Sequence, residues 1–382
     1  MGPCGIRTEE HCACWRELGM AKKPSNRNLV LKSRVSTKAF KAVLDVLYYS
    51  RGYKMFGPLT QGIGAILILH SVRPEPMQGF DPNGILRVSP DFLEQIIDCV
   101  LEAGFDVISL DEVYWRLCEG DLEQPFVCFT FDDGYRDNWE HAYPIFQRYG
   151  LPFAIYVSTD FADGKGELWW FALENVIRHN DAVTIRLYGE ERPFDCAGPD
   201  AKDDAYRIIY RWLRGINEFH ARSVVADLCD AMGFDQLAIC RELVMTWQEI
   251  RTIARDPLVT IGAHTKGHYA LAKLSLSDAR FQVEENLSRL QQELGKRPEH
   301  FSFPYGCGPS AGPREFQLLA EVGVKTAVTT RKGMIFADHN QYLTALPRMS
   351  LNGEYQKRRY FDVLMSGVPF ALRNRFRKVN AT

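Results

Sequence analysis

Short apolar segments recur along the middle of this 382-residue chain, and amphipathic stretches separate them. Seven of these segments are five or six residues long and are bounded by turn residues or helical patterns: Ala65–His70, Asp106–Leu110, Phe126–Phe131, Phe153–Ser158, Val259–Ala263, His300–Pro304 and Lys325–Thr329. Strands that are apolar throughout and alternate with helices are typical of a parallel sheet buried on both faces. The pattern therefore predicts an α/β fold, and seven β/α units within about 270 residues favour a barrel over an open sheet.

Helical patterns lie between most of these strands, and one long stretch interrupts the alternation. The predicted helices are Pro90–Ala103, Asp111–Glu119, Trp139–Tyr149, Ser277–Leu294 and Pro313–Val322. Residues from about 160 to 245 form an insertion after the fourth strand, with a hairpin-like segment around Gly189 and a predicted helix near Asp203–Phe219. Long insertions at the carboxyl end of a strand often build a binding wall or a lid. The alternative is a helical decoration of the barrel.

The two ends of the chain are more basic than its middle. Met20–Pro58 contains nine Lys or Arg residues and one acid, and Tyr355–Thr382 contains seven and one. We predict a basic, partly helical extension over residues 1–60, a barrel over 61–351 and a basic tail over 352–382. Basic amphipathic ends can hold a protein against an anionic membrane surface. The alternative is a pair of solvated helices packed on the barrel.

The overall composition narrows the class of protein. With 46% hydrophobic and 25% charged residues, the chain resembles an average globular protein. A net charge of −2 provides no general attraction to nucleic acid. No apolar run has the length of a transmembrane helix, and ten scattered cysteines without a C-x-x-C pair are typical of a reducing compartment. We therefore expect a cytoplasmic protein, and peripheral attachment at the inner membrane surface is one of the two interpretations of its basic ends. Met20 is a candidate translation start.

Polar side chains follow the predicted strands at four points. These are His70 after the first strand, Asp132-Asp133-Gly134 after the third, His264–His268 (HTKGH) after the fifth and Phe303–Gly306 (FPYG) after the sixth. Catalytic groups of a parallel barrel lie at the carboxyl ends of its strands. Two imidazoles and one carboxylate with open coordination positions are typical of a catalytic metal site. Asp133, His264 and His268 are therefore candidate metal ligands.

The spacing of these residues leaves alternatives open. A helix over His264–His268 would place both imidazoles on one face, one turn apart. Without a metal, they would be two ordinary loop histidines. Of the adjacent carboxylates, one could ligate a metal while the other acts as a general base, but Asp133-Gly134 is also ordinary turn chemistry.

Three segments together resemble a known family. FTFDDG (Phe129–Gly134), HTKGH (His264–His268) and FSFPYG (Phe301–Gly306) are similar, in this order, to the motifs of the polysaccharide deacetylase family. This is the NodB-homology domain, or carbohydrate esterase family four. The resemblance continues through AYPIF (Ala142–Phe146) and spans roughly Ala65–Leu351. It implies a distorted (β/α)7 barrel of the glycoside hydrolase/deacetylase type, in agreement with the number of predicted strands.

The resemblance also implies a chemistry. It indicates a metal-dependent hydrolase that removes N-acetyl groups from the amino sugars of an oligosaccharide, a polysaccharide or a lipid-linked glycan, as chitooligosaccharide deacetylases do. Asp133, His264 and His268 would hold Zn²⁺ or another divalent metal such as Co²⁺, Ni²⁺ or Fe²⁺. Asp132 would be the general base, and the backbone N–H of Tyr305 would stabilise the oxyanion. The alternatives are an amino-sugar deformylase and a non-catalytic glycan-binding protein.

Two positions depart from the family pattern. Many members of the family have an arginine before F-P-Y that orients the base aspartate, and this chain has Ser302 at that position. Members also usually have a general-acid histidine after the last strand, and the corresponding segment here is Leu346–Met349 (LPRM). His70 is therefore the leading candidate for the general acid, with a structural rim histidine as the alternative. Arg348 is a candidate for the positive charge that Ser302 cannot supply to Asp132.

Two further features have competing interpretations. Trp169 and Trp170, in the insertion, are candidates for stacking on a sugar ring, or else belong to the core. Gly308–Gly312 matches the G-x-S-x-G nucleophile elbow of serine hydrolases, with Asp338 and His339 downstream. However, the preceding apolar strand stops well before this serine, so the match lacks the context that an elbow requires.

Overall fold

The computed structural model describes residues 26–76, 79–120, 123–187 and 189–381. The chain forms two compact units, Met1–Phe40 and Lys41–Thr382, and the second contains the described strands. Those strands are β1 Gly64–Leu69, β2 Ser71–Val72, β3 Arg87–Val88, β4 Asp106–Val107, β5 Phe126–Phe131, β6 Phe153–Val157, β7 Ala182–Leu187, β8 Glu190–Asp195, β9 Val259–Ala263, β10 His300–Ser302, β11 Thr326–Val328 and β12 Met349–Ser350.

The helices account for most of the remaining described chain. They are α1 Asn26–Tyr49, α2 Gly52–Thr60, α3 Pro90–Glu102, α4 Leu110–Glu119, α5 Tyr143–Tyr149, α6 Thr159–Ala162, α7 Trp169–Arg178, α8 Pro199–Leu213, α9 Glu218–Ala231, α10 Gln236–Leu243, α11 Trp247–Ile253, α12 Leu276–Leu294, α13 Pro313–Glu321, α14 Arg358–Met365 and α15 Val368–Arg373. Short 3₁₀ segments cover Pro82–Leu86, Leu271–Lys273, Ala337–Gln341, Leu343–Ala345 and Gly353–Tyr355. A π-helical turn, Asn138–Ala142, leads into α5.

A curled parallel sheet of seven strands forms the centre of the second unit. Its order is β11-β10-β9-β6-β5-β1-β12. At one edge Met349 of β12 pairs with Leu67 of β1, and at the other Leu346 bridges to Val328 of β11. The segment that leads into β12 therefore joins the two edges of the sheet. The predicted α/β fold with a seven-stranded (β/α)7 barrel is confirmed.

The barrel differs from the prediction at one strand. The predicted strand Asp106–Leu110 is wrong in extent, because only Asp106–Val107 pairs, with the first half of β5. The Ser109 side chain instead accepts a hydrogen bond from the Glu112 N–H and begins α4, as an N-cap serine does. The seventh barrel strand is β12, which is only two residues long. It is too short to form an apolar run, so the sequence pattern did not predict it.

The insertion forms a layer with its own core. β7 and β8 pair as the hairpin predicted around Gly189. The helix predicted near Asp203–Phe219 is present as α8, but its predicted end is wrong, because α8 ends at Leu213. The Asn217 side chain then caps α9 by accepting from the N–H groups of Phe219 and His220. Trp169, Trp170 and Trp212 are among the buried residues of this layer.

The two ends of the second unit pack together. The Thr60 hydroxyl at the end of α2 donates to the Ser366 carbonyl at 2.6 Å, just before α15. Lys41 forms an ion pair with Glu354 at 2.9 Å, and Asp45 pairs with Arg359 at 2.7 Å. Among the helices of the described ranges, none combines the length and apolarity that crossing a bilayer requires. Met20 and Cys4, Cys12 and Cys14 lie outside the described residues.

Candidate metal centre and active site

Three of the predicted site residues meet at the carboxyl ends of the strands. The Nε2 atoms of His264 and His268 lie 3.3 Å and 3.2 Å from Oδ1 of Asp133. One ligand atom from each residue falls within 4.8 Å of the other two, and all three side chains are buried. Segments from β5 and β9 that are far apart along the chain therefore converge on one point, as the sequence predicted.

Left-handed backbone turns produce this convergence. Asp133 has φ 72° and Gly134 has φ 68°, so the chain reverses directly after β5 and both acidic side chains reach the rim. Thr265 and His268 have φ 62° and 58°. The helix considered for His264–His268 is therefore absent, and a strained loop presents the two imidazoles. Non-glycine residues in this region are found mainly where the surrounding structure holds them for function.

Hydrogen bonds from neighbouring elements fix this loop. The His264 N–H donates to Oδ1 of Asn286 at 3.0 Å, and the Ser158 hydroxyl donates to the His264 carbonyl at 2.7 Å. The Gly267 N–H donates to Oε1 of Gln282 at 2.9 Å. Asn286 and Gln282 are buried polar residues of α12, so the helix that follows β9 holds the histidine loop in place.

The donor set fits a divalent cation. Nδ1 of His264 lies 2.7 Å from the Ser302 carbonyl, which favours a proton on Nδ1 and a free lone pair on Nε2. Asp133 Oδ1 is buried and, within the described residues, no donor meets it in hydrogen-bonding geometry. Burial lowers the pKa of His268, which favours the neutral imidazole that a metal ligand requires. Two imidazole nitrogens and a carboxylate oxygen suit zinc and the neighbouring transition metals.

Asp132 is held by an arginine from the last barrel strand. Arg348 is fully buried, and its guanidinium donates to both carboxylate oxygens of Asp132, at 2.8 Å and 2.6 Å. It also donates to the hydroxyls of Thr130 and Ser302 and to the Thr329 carbonyl. Burial raises the pKa of Asp132, but Arg348 outweighs burial and the pKa lies below its ordinary value. Arg348 thus supplies the positive charge beside Asp132 that the serine at position 302 cannot provide, as hypothesised.

Tyr305 lies beside the metal-ligand candidates, with its ring 4.8 Å from that of His268. Its φ is 60°, its carbonyl accepts from the Thr330 hydroxyl at 2.6 Å, and no hydrogen bond from its N–H occurs within the part of the chain that the structure describes. The Trp169 indole N–H donates to its phenol oxygen at 2.9 Å, and the Arg214 guanidinium lies 3.4 Å from its ring centre. These contacts fix the side chain and the carbonyl of Tyr305, and the oxyanion role of its N–H stays a prediction.

His70 lies at the rim, near the two aspartates. Its side chain is half-buried, and its carbonyl accepts from the Asn138 side chain at 2.7 Å. Burial lowers the pKa of His70, while the charges of Asp133 and Asp132 oppose that effect. The imidazole is therefore within electrostatic reach of both carboxylates, and its role as an acid stays a prediction.

Asp137 has a positioning role that sequence reasoning missed. This buried carboxylate accepts hydrogen bonds from the Ser71 hydroxyl at 2.6 Å, the Val72 N–H at 3.1 Å and the Arg73 side chain at 2.8 Å. It therefore ties the segment after β1 to the turn after β5, and with it the backbone that carries His70. The sequence signal for this role was its position in Thr130–Asn138 (TFDDGYRDN), the segment that carries the two site aspartates.

The two insertion tryptophans pack around the metal centre. Trp169 and Trp170 are only 3% and 5% exposed, so neither offers an open ring face to a sugar. The ring of Trp170 lies 5.0 Å from that of His268, and Phe161 stacks on the same imidazole at 5.5 Å. The stacking interpretation is wrong for both, and they belong to the core that surrounds His268.

Arg222 is a second residue that the sequence did not reveal. This buried side chain of α9 donates to the carbonyls of Gly267 and His268, both at 2.9 Å. It pairs with Glu167 at 3.0 Å and lies over the Tyr269 ring, 3.9 Å from its centre. The insertion thus holds the histidine loop directly. An arginine in an amphipathic helix looks like an ordinary surface residue in the sequence, so nothing in the local pattern indicates that Arg222 binds the histidine loop.

Replacing Arg222 with methionine is expected to weaken zinc binding by roughly 10–100-fold, the usual effect of losing an outer-shell partner of a metal ligand. Two carbonyls of the His268 loop would lose their charged donor. Competition with a chromogenic chelator measures the affinity, and Arg211→Met, an exposed site on α8, is the control. If a folded Arg222→Met protein bound zinc with unchanged affinity, the conformation of the His264–His268 loop would not depend on Arg222.

The residues of the G-x-S-x-G match do not form a nucleophile site. Ser310 is buried and its hydroxyl accepts from Arg214 at 2.9 Å and contacts the Cys307 sulfur at 3.2 Å. His339 instead bonds through Nδ1 to the Phe336 N–H at 3.0 Å. No contact joins Ser310 to His339 among the described residues, and β10 ends well before the serine, so a serine-hydrolase site is not supported.

Comparisons with known proteins agree with this geometry. The model of a family described as polysaccharide deacetylase matches residues 119–191 and 214–327. A putative polysaccharide deacetylase of Bacillus subtilis (strain 168), YxkH, is 26% identical over 178 residues, which are 46% of this chain and 54% of that protein. The chain thus spans about half the length of this curated relative. The Streptococcus pyogenes deacetylase PplD, solved in complex with acetate, is 17% identical; the match covers 79% of this chain and 96% of PplD with a TM-score of 0.52, which shows a shared fold.

Proposed function

The chain belongs to the polysaccharide deacetylase family, and from this premise we propose that it is a metal-dependent hydrolase that removes N-acetyl groups from the amino sugars of a glycan. One observation carries the proposal. Asp133, His264 and His268 form a buried set of metal-ligand atoms within 4.8 Å of one another, and a second carboxylate, Asp132, stands beside them with its own counter-charge.

Asp133, His264 and His268 would hold the cation, with zinc as the proposed metal and cobalt, nickel or iron as substitutes. Such a cation, when bound, acts as a Lewis acid towards the amide carbonyl and makes water a nucleophile at neutral pH. The hydrogen bonds from α12 and from Arg222 to the loop keep the two imidazoles next to Asp133.

Asp132 would act as the general base. Because Asp133 is committed to the cation, the reaction needs a second carboxylate to take the proton from the attacking water. Arg348 holds both oxygens of Asp132, which keeps the group ionised and fixes its direction. The Tyr305 N–H would donate to the oxygen that gains charge when the carbonyl is attacked.

His70 is proposed as the proton donor to the leaving amine. The amide C–N bond breaks when the sugar nitrogen gains a proton, and a rim imidazole near both carboxylates is suitably placed to deliver it. Acetate, which PplD binds in its own structure, would be one product here, and a free amino sugar the other. An oligosaccharide or a lipid-linked precursor is the proposed substrate class.

The proposal predicts acetate release that depends on a divalent metal. Purified protein loaded with zinc should release acetate from at least one member of a panel of N-acetylated amino-sugar oligomers, lose this activity in EDTA and regain it with zinc. Asp132→Asn should retain zinc and lower turnover by about 10²–10⁴-fold, whereas Asp338→Asn, at an exposed site, and Ser310→Ala should retain activity.

Each rival function has its own outcome in this assay. N-formylated amino-sugar oligomers in the same assay test the deformylase alternative. Release of formate from these, without release of acetate from the N-acetylated oligomers, would identify an amino-sugar deformylase. Binding of an oligomer without release of either acid, across the whole panel, would identify a glycan-binding protein. Activity that ignores EDTA and disappears in Ser310→Ala would refute the metal mechanism.

A further inference from the structure

Large apolar side chains are exposed where the two ends of the second unit pack together. On α2, Met55, Phe56 and Leu59 are 67%, 46% and 77% exposed. Leu372 on α15 is 53% exposed, and Phe376, just after α15, is 70% exposed. We call these five residues the apolar patch. Exposed apolar residues that occur singly are ordinary, but a group on neighbouring elements marks an interaction surface.

The patch is continuous across the two elements. α2 and α15 are in contact, and the Thr60 hydroxyl bonds to the Ser366 carbonyl between them. Leu59 and Phe376 line the same shallow cavity, together with Phe370. Side chains that are far apart in sequence therefore share one face of the protein.

Unpaired positive charges border this face. They are Arg51, Lys54, Arg373, Arg375, Arg377 and Lys378, all exposed. Residues 46–63 and 366–381 contain no aspartate or glutamate, and within the described ranges none of the six cations has an ion-pair partner. Some exposed arginines elsewhere are paired, as Arg148 is with Glu94 and Arg280 is with Glu321, whereas Arg211 and Arg255 have no ion-pair partner among the described residues. The distinction of the patch is therefore that six such cations border one face. Lys54 is within electrostatic reach of Asp362, and the other five charges are available to an external anion.

We propose that the apolar patch docks this protein on the surface of a membrane that contains anionic lipids. Apolar side chains would enter the boundary between headgroups and acyl chains, and the six cations would contact the headgroups. A second copy of the chain is a poorer occupant, because it would bring the same six positive charges against these six, and like charges across an interface oppose association.

The patch and the candidate active site lie towards opposite ends of the barrel. Leu59 is near the end of α2, which leads into the amino end of β1 at Gly64, whereas Asp133 and His268 follow the carboxyl ends of β5 and β9. Docking would therefore leave the active site open to solvent. The proposal does not depend on the proposed activity, and the two can fail separately.

Sedimentation with lipid vesicles tests the proposal. The full chain should pellet with vesicles of phosphatidylcholine and phosphatidylglycerol, but not with phosphatidylcholine alone, and added salt should weaken binding. Arg375→Gln/Arg377→Gln/Lys378→Gln should bind on the order of a hundredfold more weakly, because each basic side chain near an anionic surface contributes about a fivefold factor. Phe56→Ser/Leu59→Ser/Phe376→Ser should lose binding by a similar factor, since three apolar anchors are removed.

Two control variants each carry two changes of the same kinds at other exposed sites. Leu276→Ser/Phe281→Ser removes apolar residues of α12 that are 49% and 53% exposed, and Lys165→Gln/Lys296→Gln removes two exposed lysines. Both should bind vesicles like the unmodified chain. The patch variants should keep their circular dichroism, their unfolding midpoint and their acetate release from a soluble oligosaccharide.

Three results would overturn the proposal. The first is no binding of the full chain to anionic vesicles, and the second is vesicle binding that persists undiminished in both patch variants. The third is a dimer in sedimentation velocity runs that the patch variants convert to a monomer, which would assign the patch to contact between copies of this chain.

Discussion

Replacing Arg348 with methionine is expected to destabilise the folded protein by about 3–5 kcal/mol, the usual effect of breaking a buried ion pair from one side, and to lower turnover by about 10²–10⁴-fold, the usual share of general-base catalysis. The fully buried guanidinium holds both oxygens of Asp132. Without it a carboxylate stays buried with no counter-charge, tends to take up a proton, and cannot serve as a base. Urea unfolding and acetate release measure the two effects.

A double-mutant cycle separates this pairing from general loss of packing. Asp132→Asn/Arg348→Met removes both charges, so it should be less destabilised than the sum of the two single variants. Arg331→Met is the matched control, because Arg331 is a partly buried arginine of the same loop region that donates to the Ala311 carbonyl and forms no ion pair among the described residues. Additive losses in the cycle would show that Asp132 and Arg348 are not coupled.

Replacing His264 with alanine is expected to weaken zinc binding by more than about 100-fold, because the loss of an outer-shell partner alone has a 10–100-fold effect and this change removes a ligand. His268→Ala should behave alike. Elemental analysis of the purified proteins gives zinc per chain, and chelator competition gives affinity. Turnover should fall in parallel with zinc content.

His179→Ala is the control for this prediction, since His179 is exposed at the end of α7. It should bind one zinc per chain, as the unmodified protein should. Full zinc occupancy in both His264→Ala and His268→Ala would contradict the assignment of the metal site, and zinc bound equally by a protein carrying Asp133→Ala would do so as well.

The sequence was most informative where burial is complete. β5 and β9 begin and end where they were predicted, because each is a short apolar run whose following residues are polar or turn-forming. The same alternation indicated the barrel, and the barrel predicts that residues after β5 and β9 come together. Asp133, His264 and His268 follow from that reasoning without knowledge of any distance.

Sequence reasoning failed where long-range contacts override the local pattern. β12 has two residues and acquires its role by pairing with β1, which no local periodicity reveals. His264–His268 has helical spacing, yet the bonds to Asn286 and Gln282 hold a left-handed loop. Arg222 is invisible for the same reason, since its function lies in the two carbonyls that it contacts and not in its neighbours along the chain.

The aromatic residues of the insertion show a different limit. Trp169 and Trp170 were candidates for sugar contact because their rings are large and near the site, but composition does not distinguish a ring that faces solvent from one that supports a loop. The structure places the Trp170 ring against His268 and the Trp169 indole against the Tyr305 phenol. The two tryptophans therefore support the side chains of His268 and Tyr305 in the candidate site.

The position of Arg348 has a consequence for biosynthesis. Its partner Asp132 lies 216 residues earlier, so during translation the emerging polypeptide carries that carboxylate for a long time before the guanidinium exists. Contacts of such wide separation form late in folding. A product that terminates before the final barrel strand would leave the Asp132 carboxylate without its counter-ion, so this carboxylate can be held in its ionised form only after that strand has been made.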